Sequence, residues 1–173
     1  LSLQEKIKKI KLLLLDVDGV LTDGGIILGP SDLEYKIFNI RDGLGIKLAQ
    51  AGDIEVGIIT GRFSEAVRKR ALELGIKILY QGQSDKIEAY QKIKNQLDLK
   101  DEQITYIGDD LPDLAILKQA GFSCTVSDAC DEIKKEVDFV TKRNGGKGAV
   151  REAIELILKN QGKWDSLVEK YIE

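Results

Sequence analysis

Residues 12–25 read "LLLLDVDGVLTDGG", and this stretch decides the fold. Four leucines, Leu12 to Leu15, run straight into Asp16; a second acid, Asp18, follows, and then Gly19. A short, unbroken apolar run reads as a strand buried on both faces, the kind found in parallel sheets. Two acids at the end of such a strand need something to hold their charge. The rest of the chain supplies the groups that do so.

The 173 residues fit one domain, 1–173, with a core of its own. Lys and Arg number 26 against 29 Asp and Glu, a net charge of -3, which argues against nucleic acid or a membrane surface as partner. No apolar run approaches the ~18 residues of a membrane span. The opening "LSLQEKIKKIK" is charged and amphipathic and has no small-residue cleavage site, so no signal peptide is expected. Cys124 and Cys130 are expected to be free thiols of a reducing, cytoplasmic compartment. Histidine is absent, so any acid, base or metal ligand must come mainly from Asp, Glu, Lys or Cys.

Apolar runs predict strands over 11–17, 54–60, 77–80, 104–108, 122–126 and 138–140. Amphipathic runs predict helices over 43–51, 64–74, 85–97, 111–120, 131–135, 148–160 and 164–171. Ser64 is expected to cap the second of these helices, and Gly75 and Gly121 to close two of them. Strands alternating with helices give an α/β fold whose parallel sheet is covered on both faces. One segment breaks the alternation. "GGIILGPSDLEYKIFNI", residues 24–40, holds two alternating runs around Gly29-Pro30-Ser31-Asp32 and predicts a protruding β-hairpin. Directly behind the acidic strand end, it should stand over that end like a flap.

Ligands of open parallel sheets bind at the carboxyl ends of the strands. The first predicted strand delivers Asp16 and Asp18 there, and the next delivers Thr60, Gly61 and Arg62. The strand over 104–108 delivers Asp109, Asp110 and, one helical turn on, Asp113; Lys86 opens the helix after "QGQSD". Each piece alone also fits a bland role, such as a solvated turn, a helix cap or a surface charge. Their joint placement after strands does not. Several carboxylates at one point repel each other, and a hard cation removes the conflict. Mg²⁺ takes oxygen ligands, few of them from protein. Asp16 and Asp109, with the backbone carbonyl of Asp18, supply such a set, and Asp110 and Asp113 are placed to orient it. Asp16 can then attack phosphorus as a nucleophile. Asp18 can protonate the leaving oxygen and later activate water. Thr60 and Lys86 can meet the negative charge of the phosphoryl group in transfer.

These motifs resemble those of the haloacid-dehalogenase-like phosphatase superfamily: "DVDGVLTD" its first, Thr60 its second, Lys86 its third and "GDDLPD" its fourth. The resemblance implies a Rossmann-like three-layer sandwich, Mg²⁺, an aspartyl-phosphate on Asp16, and Asp18 as acid/base. More narrowly, "NIRDGLGIKL", "TGR", "YQGQSDK" and "GGKGAVREAIELILKNQGKWD" are similar to the 3-deoxy-D-manno-octulosonate 8-phosphate phosphatases of lipopolysaccharide synthesis. That group implies no cap domain, a homotetramer whose hairpins roof the active sites, and a small phosphorylated sugar acid as substrate. Phosphatases for nine-carbon, sialic-acid-like sugars are near relatives; Arg62 after Thr60-Gly61 resembles the octulosonate branch. An arginine can fork onto a phosphate or a sugar carboxylate. The loop "RNGGKG", residues 143–148, offers glycine backbone together with Arg143 and Lys147 as further substrate contacts. A signalling receiver domain is the rival from another class. It too puts phosphate on an Asp of a parallel sheet, but it is shorter and lacks the hairpin.

Overall fold

The computed structural model describes residues 1–172. The strands are β1 (Leu12–Leu15), β2 (Ile27–Leu28), β3 (Glu34–Tyr35), β4 (Glu55–Ile59), β5 (Ile78–Tyr80), β6 (Ile104–Ile107), β7 (Phe122–Thr125) and β8 (Phe139–Val140). The α-helices are α1 (Leu3–Lys8), α2 (Ile40–Ala51), α3 (Glu65–Leu74), α4 (Lys86–Gln96), α5 (Leu114–Gln119), α6 (Asp131–Lys134), α7 (Ala149–Asn160) and α8 (Trp164–Glu169).

Six strands form one sheet in the order β5-β4-β1-β6-β7-β8. Every pairing in it is parallel. The quoted strand β1 sits inside the sheet, paired to β4 on one side and β6 on the other. Its four leucines are all buried, which is why they need no alternation with polar residues. Leu13 and Leu15 enter one core with Ile46, Val67, Ala71, Ile154 and Ile157, from α2, α3 and α7. Leu12 and Leu14 enter the other core with Tyr90, Ile93, Ile116 and Leu117, from α4 and α5. The result is the expected three-layer sandwich. The chain winds from β1 outward through β4 and β5, then crosses back to β6, so the sheet switches direction beside β1. The crevice at such a switch point is where α/β sheets bind ligands.

Several elements depart from their predicted form. α1 is a helix beyond those the sequence pattern predicts, and Ser2 and Glu5 form a reciprocal capping box at its start. α2 starts at Ile40 rather than residue 43, because Asn39 caps it by accepting the Arg41 N–H at 2.8 Å. Ser64 stands at the start of α3, but its hydroxyl makes no cap hydrogen bond. Gly75 closes α3 in the left-handed conformation, φ 71°, as expected. Gly121 is no such cap; a side chain there would meet the backbone of Glu102 at 2.4 Å. The expected helix over 111–120 begins as a tight 3-10 turn, Leu111–Asp113, before α5. Cys124 and Cys130 are free.

β2 and β3 pair antiparallel, Ile27 with Tyr35 and Leu28 with Glu34, as a separate two-stranded hairpin outside the main sheet. Its turn is closed by the Gly29 N–H donating to the Leu33 carbonyl at 2.7 Å. Asp42, the acid of "NIRDGLGIKL", is 1% exposed and accepts the Arg151 N–H at 2.9 Å. It therefore caps the first turn of α7 from across the interface and locks α2 to it.

Candidate active site

An open cleft of about 360 Å³ lies at the carboxyl ends of the strands, lined by Asp16, Asp18, Thr60, Gly61, Arg62, Gln83, Ser84, Lys86, Asp109, Asp110, Pro112 and Asp113. Nine of the eleven residues singled out in the sequence are in that set. Lys147 is not among them; it is exposed. Arg143 is exposed as well, with its guanidinium beside Gly148. The glycines of their loop have a structural use instead. A side chain on Gly145 would fall 1.8 Å from the Gly19 carbonyl, and one on Gly146 would fall 2.6 Å from the Thr22 backbone. The loop thus presses its bare backbone against the turn that follows Asp18.

Lys86 occupies the first position of α4, and Asp85 before it caps the helix by accepting the Ile87 N–H. Its side chain reaches inward until it is 6% exposed, with Nζ 2.9 Å from Asp16 Oδ1 and 2.7 Å from Asp113 Oδ1. Burial works against the ammonium, but the two carboxylates outweigh it and raise the lysine above its ordinary range.

Asp113 is fully engaged. Oδ1 accepts from Lys86 and from the Tyr106 hydroxyl, and Oδ2 accepts the Asp109 and Asp110 backbone N–H groups at 3.0 and 3.3 Å. It ties Lys86 to the Asp109 loop. Asp110 is exposed and accepts the Leu111 N–H at 2.8 Å. That leaves Asp16 and Asp109 as the acids with free oxygens at the centre. Oxygens of Asp16, Asp109 and Asp113 all lie within 4.8 Å of one another. Burial, then the Asp113 charge, pushes Asp16 up to about 6 despite the opposing pull of Lys86. Burial and the charges of Asp16 and Asp113 push Asp109 up to about 8. Two acids so reluctant to ionise together, with oxygens unspent, fit a divalent cation. Gly19, at φ 92°, makes room for them: a side chain there would sit 2.0 Å from Asp109 Oδ2.

Thr60, 2% exposed, stands at the end of β4. Its backbone N–H donates to the Tyr80 carbonyl, and its own carbonyl accepts from Gln83 N–H. The Thr60–Arg62 turn is thereby pinned to the loop that precedes Lys86. Sequence reasoning missed Tyr106, Lys36 and Glu34. Tyr106 carries the one hydroxyphenyl in a buried strand, aimed at the acids. Lys36 donates to Asp18 Oδ1, and Glu34 accepts from Arg62. Reading the hairpin for its apolar residues hid the charged ones between them.

A haloacid dehalogenase-like hydrolase family model matches residues 78–154. The chain is 48% identical over 160 residues to the 3-deoxy-D-manno-octulosonate 8-phosphate phosphatase of Escherichia coli K12, covering 92% of this chain and 85% of the relative. The chain belongs to the haloacid dehalogenase-like phosphatases. The crystal structure of the enzyme of the same name from Yersinia pestis matches with a TM-score of 0.93 at 45% identity, over 94% of this chain and 88% of that one. The Moraxella catarrhalis enzyme, solved in complex with a magnesium ion, a phosphate ion and KDO, matches with a TM-score of 0.95 at 43% identity, over 98% and 97% of the two chains. Membership of this phosphatase family sets aside the receiver reading. Among the described residues, no helix is long and apolar enough to cross a membrane.

Proposed function

We propose that this phosphatase hydrolyses 3-deoxy-D-manno-octulosonate 8-phosphate to the free sugar acid and phosphate, in the cytoplasm, as a step of lipopolysaccharide precursor synthesis. The reading is carried by one observation: Asp16, Asp18, Thr60, Lys86 and Asp109 line one cleft in a chain nearly half identical to enzymes named for that reaction. Asp16 attacks phosphorus and becomes the aspartyl-phosphate. Asp18 gives its proton to the leaving sugar oxygen, then takes one from the water that hydrolyses the intermediate. Lys86, anchored on Asp113, places its charge beside the transferring phosphoryl group, and Thr60 and Gly61 hold that group from the β4 side. Asp16 and Asp109, with the Asp18 backbone carbonyl, would hold Mg²⁺, which supplies charge neutralisation at the phosphate. Arg62, half exposed at the mouth, is free to turn from Glu34 to the substrate's carboxylate.

The hairpin supports a homotetramer. Ile27, Leu28, Leu33, Tyr35 and Ile37 are 45–74% exposed, although a lone two-stranded hairpin is marginal in water. Hairpins of several subunits closing on one another would bury those side chains. Trp164 and Leu167 pack on their own core, with Arg151 and Lys159 over the indole at 5.3 and 5.1 Å. Tyr171 and Ile172 are exposed, and Glu173 lies outside the described residues. The test is a phosphate-release screen with Mg²⁺ over eight- and nine-carbon keto-acid phosphates. The eight-carbon ester should turn over fastest, and a clear preference for the nine-carbon ester would move the enzyme to the sialic-acid-like branch.

A further inference from the structure

The hairpin is inside out. Along residues 33–38 exposure alternates strictly: Leu33, Tyr35 and Ile37 face outward, while Glu34, Lys36 and Phe38 are turned in. A strand sends successive side chains to opposite faces, so Glu34 and Lys36 share the face toward the cleft. The Lys36 side chain is 1% exposed, and Glu34 is 15% exposed. Lysine is almost never fully buried unless it is paired. Lys36 is paired twice: its Nζ donates to Asp18 Oδ1 and lies 3.0 Å from Glu34 Oε1. Arg62 completes an alternating chain of charge, with its guanidinium on Glu34 Oε2 and its Nε 3.9 Å from Asp18 Oδ2. The hairpin thus grips the carboxyl of Asp18 by a buried ammonium that neither the phosphate-binding residues nor the metal ligands require.

We propose that Lys36 is a positioning residue for Asp18: it holds the carboxyl in the cleft, aimed at the leaving oxygen. The inference rests on the acid/base reading of Asp18 given above. In the first half-reaction the bond from phosphorus to the leaving oxygen breaks and a bond to Asp16 forms. The Asp18 proton passes to the leaving oxygen, which requires the carboxyl to be held within hydrogen-bond reach of that oxygen. Losing the alignment of the acid slows that step. The loss depends on how much proton the leaving oxygen needs.

The experiment compares two small esters of similar shape, phenyl phosphate and p-nitrophenyl phosphate, by kcat/KM, which reports events only through the first phosphoryl transfer. Nitrophenolate leaves with little protonation; phenolate needs more. Lys36→Met should lower kcat/KM about 10- to 100-fold for phenyl phosphate and about threefold or less for the nitrophenyl ester. Lys36→Arg, which keeps a cation, should recover most of the loss on phenyl phosphate. Lys36 follows the hairpin that stands outside the main sheet, so the fold should tolerate these changes. If the methionine variant does not fold, Lys36→Gln gives the same comparison. Equal losses on both esters, or no loss on either, would overturn the role of Lys36. Asp18→Asn is the control: if its losses do not depend on the leaving group, the acid/base reading itself falls, and the role of Lys36 with it.

Discussion

Asp109→Asn should make the metal-free protein more stable, and more so as the pH rises. The change keeps the shape of the side chain and removes one charge from a cluster whose oxygens lie within 4.8 Å of one another. The native carboxyl is raised from 3.8 to about 8 by burial and by Asp16 and Asp113. The sign follows from proton counting. Between the ordinary and the raised value, the folded chain keeps a proton that the unfolded chain releases, so wild-type stability falls as pH rises through that window. Asparagine has no proton to lose. From about pH 5 to about pH 8.5 the window spans roughly three pH units, an upper bound of about 4 kcal/mol at 1.36 kcal/mol per unit. Asp109 is partly open to water and shares its shift with Asp16, which halves this to about 2 kcal/mol. For a domain of this size, that is about 4–8 °C in Tm. Thermal melts in excess chelator, at both pH values, measure it directly. Adding Mg²⁺ at the higher pH should raise the wild-type Tm by mass action and leave the variant nearly unmoved. A gain equal at both pH values, or a loss at high pH, would refute the repulsive carboxylate pair.

Asp16→Asn should fold normally and lose turnover; near-normal phosphate release from the purified variant would end the nucleophile assignment. Asp18→Asn should slow hydrolysis of the sugar ester by about 10²–10⁴-fold, read by steady-state phosphate release. Chelation should abolish activity and Mg²⁺ restore it, while Ca²⁺, with its looser and larger shell, should inhibit; full activity in excess chelator would remove the metal from the mechanism. Arg62→Ala should raise KM for the acid sugar far more than for p-nitrophenyl phosphate, and equal effects would place Arg62 on the phosphate instead. Ile27→Glu with Ile37→Glu should break the assembly into smaller species by light scattering, and a wild-type monomer at micromolar concentration would rule out the shared roof.

The sheet was legible because its signal is local. Leu12–Leu15 is apolar without interruption only because both faces of β1 are covered, and the other strands repeat that logic. The acids were legible because each follows such a strand. What escaped depended on partners far along the chain. Asp42 looks like an ordinary first-turn acid until α7 arrives for it to cap. Gly121 looks like a helix stop, yet it is small because the backbone of Glu102 crosses it. Lys147 shares a loop with glycines that pack on the turn after Asp18, yet it does not line the cleft itself. Lys36 was hidden by a habit of reading strands for their apolar face.

The two faces of β3 also constrain how this chain can vary over evolution. Even-numbered positions of the strand answer to the chain's own chemistry, and odd-numbered positions answer to whatever covers the outside. Each set can drift in identity while keeping its character. The turn between Gly29 and Asp32 can change its residues too, but its length is fixed. One residue gained or lost there would shift the strand by a single step and exchange its faces. Tyr35 and Ile37 would then meet Asp18, and two charges would enter the outer apolar face. A lesion in a solvent-facing loop would thus exchange both faces in a single event.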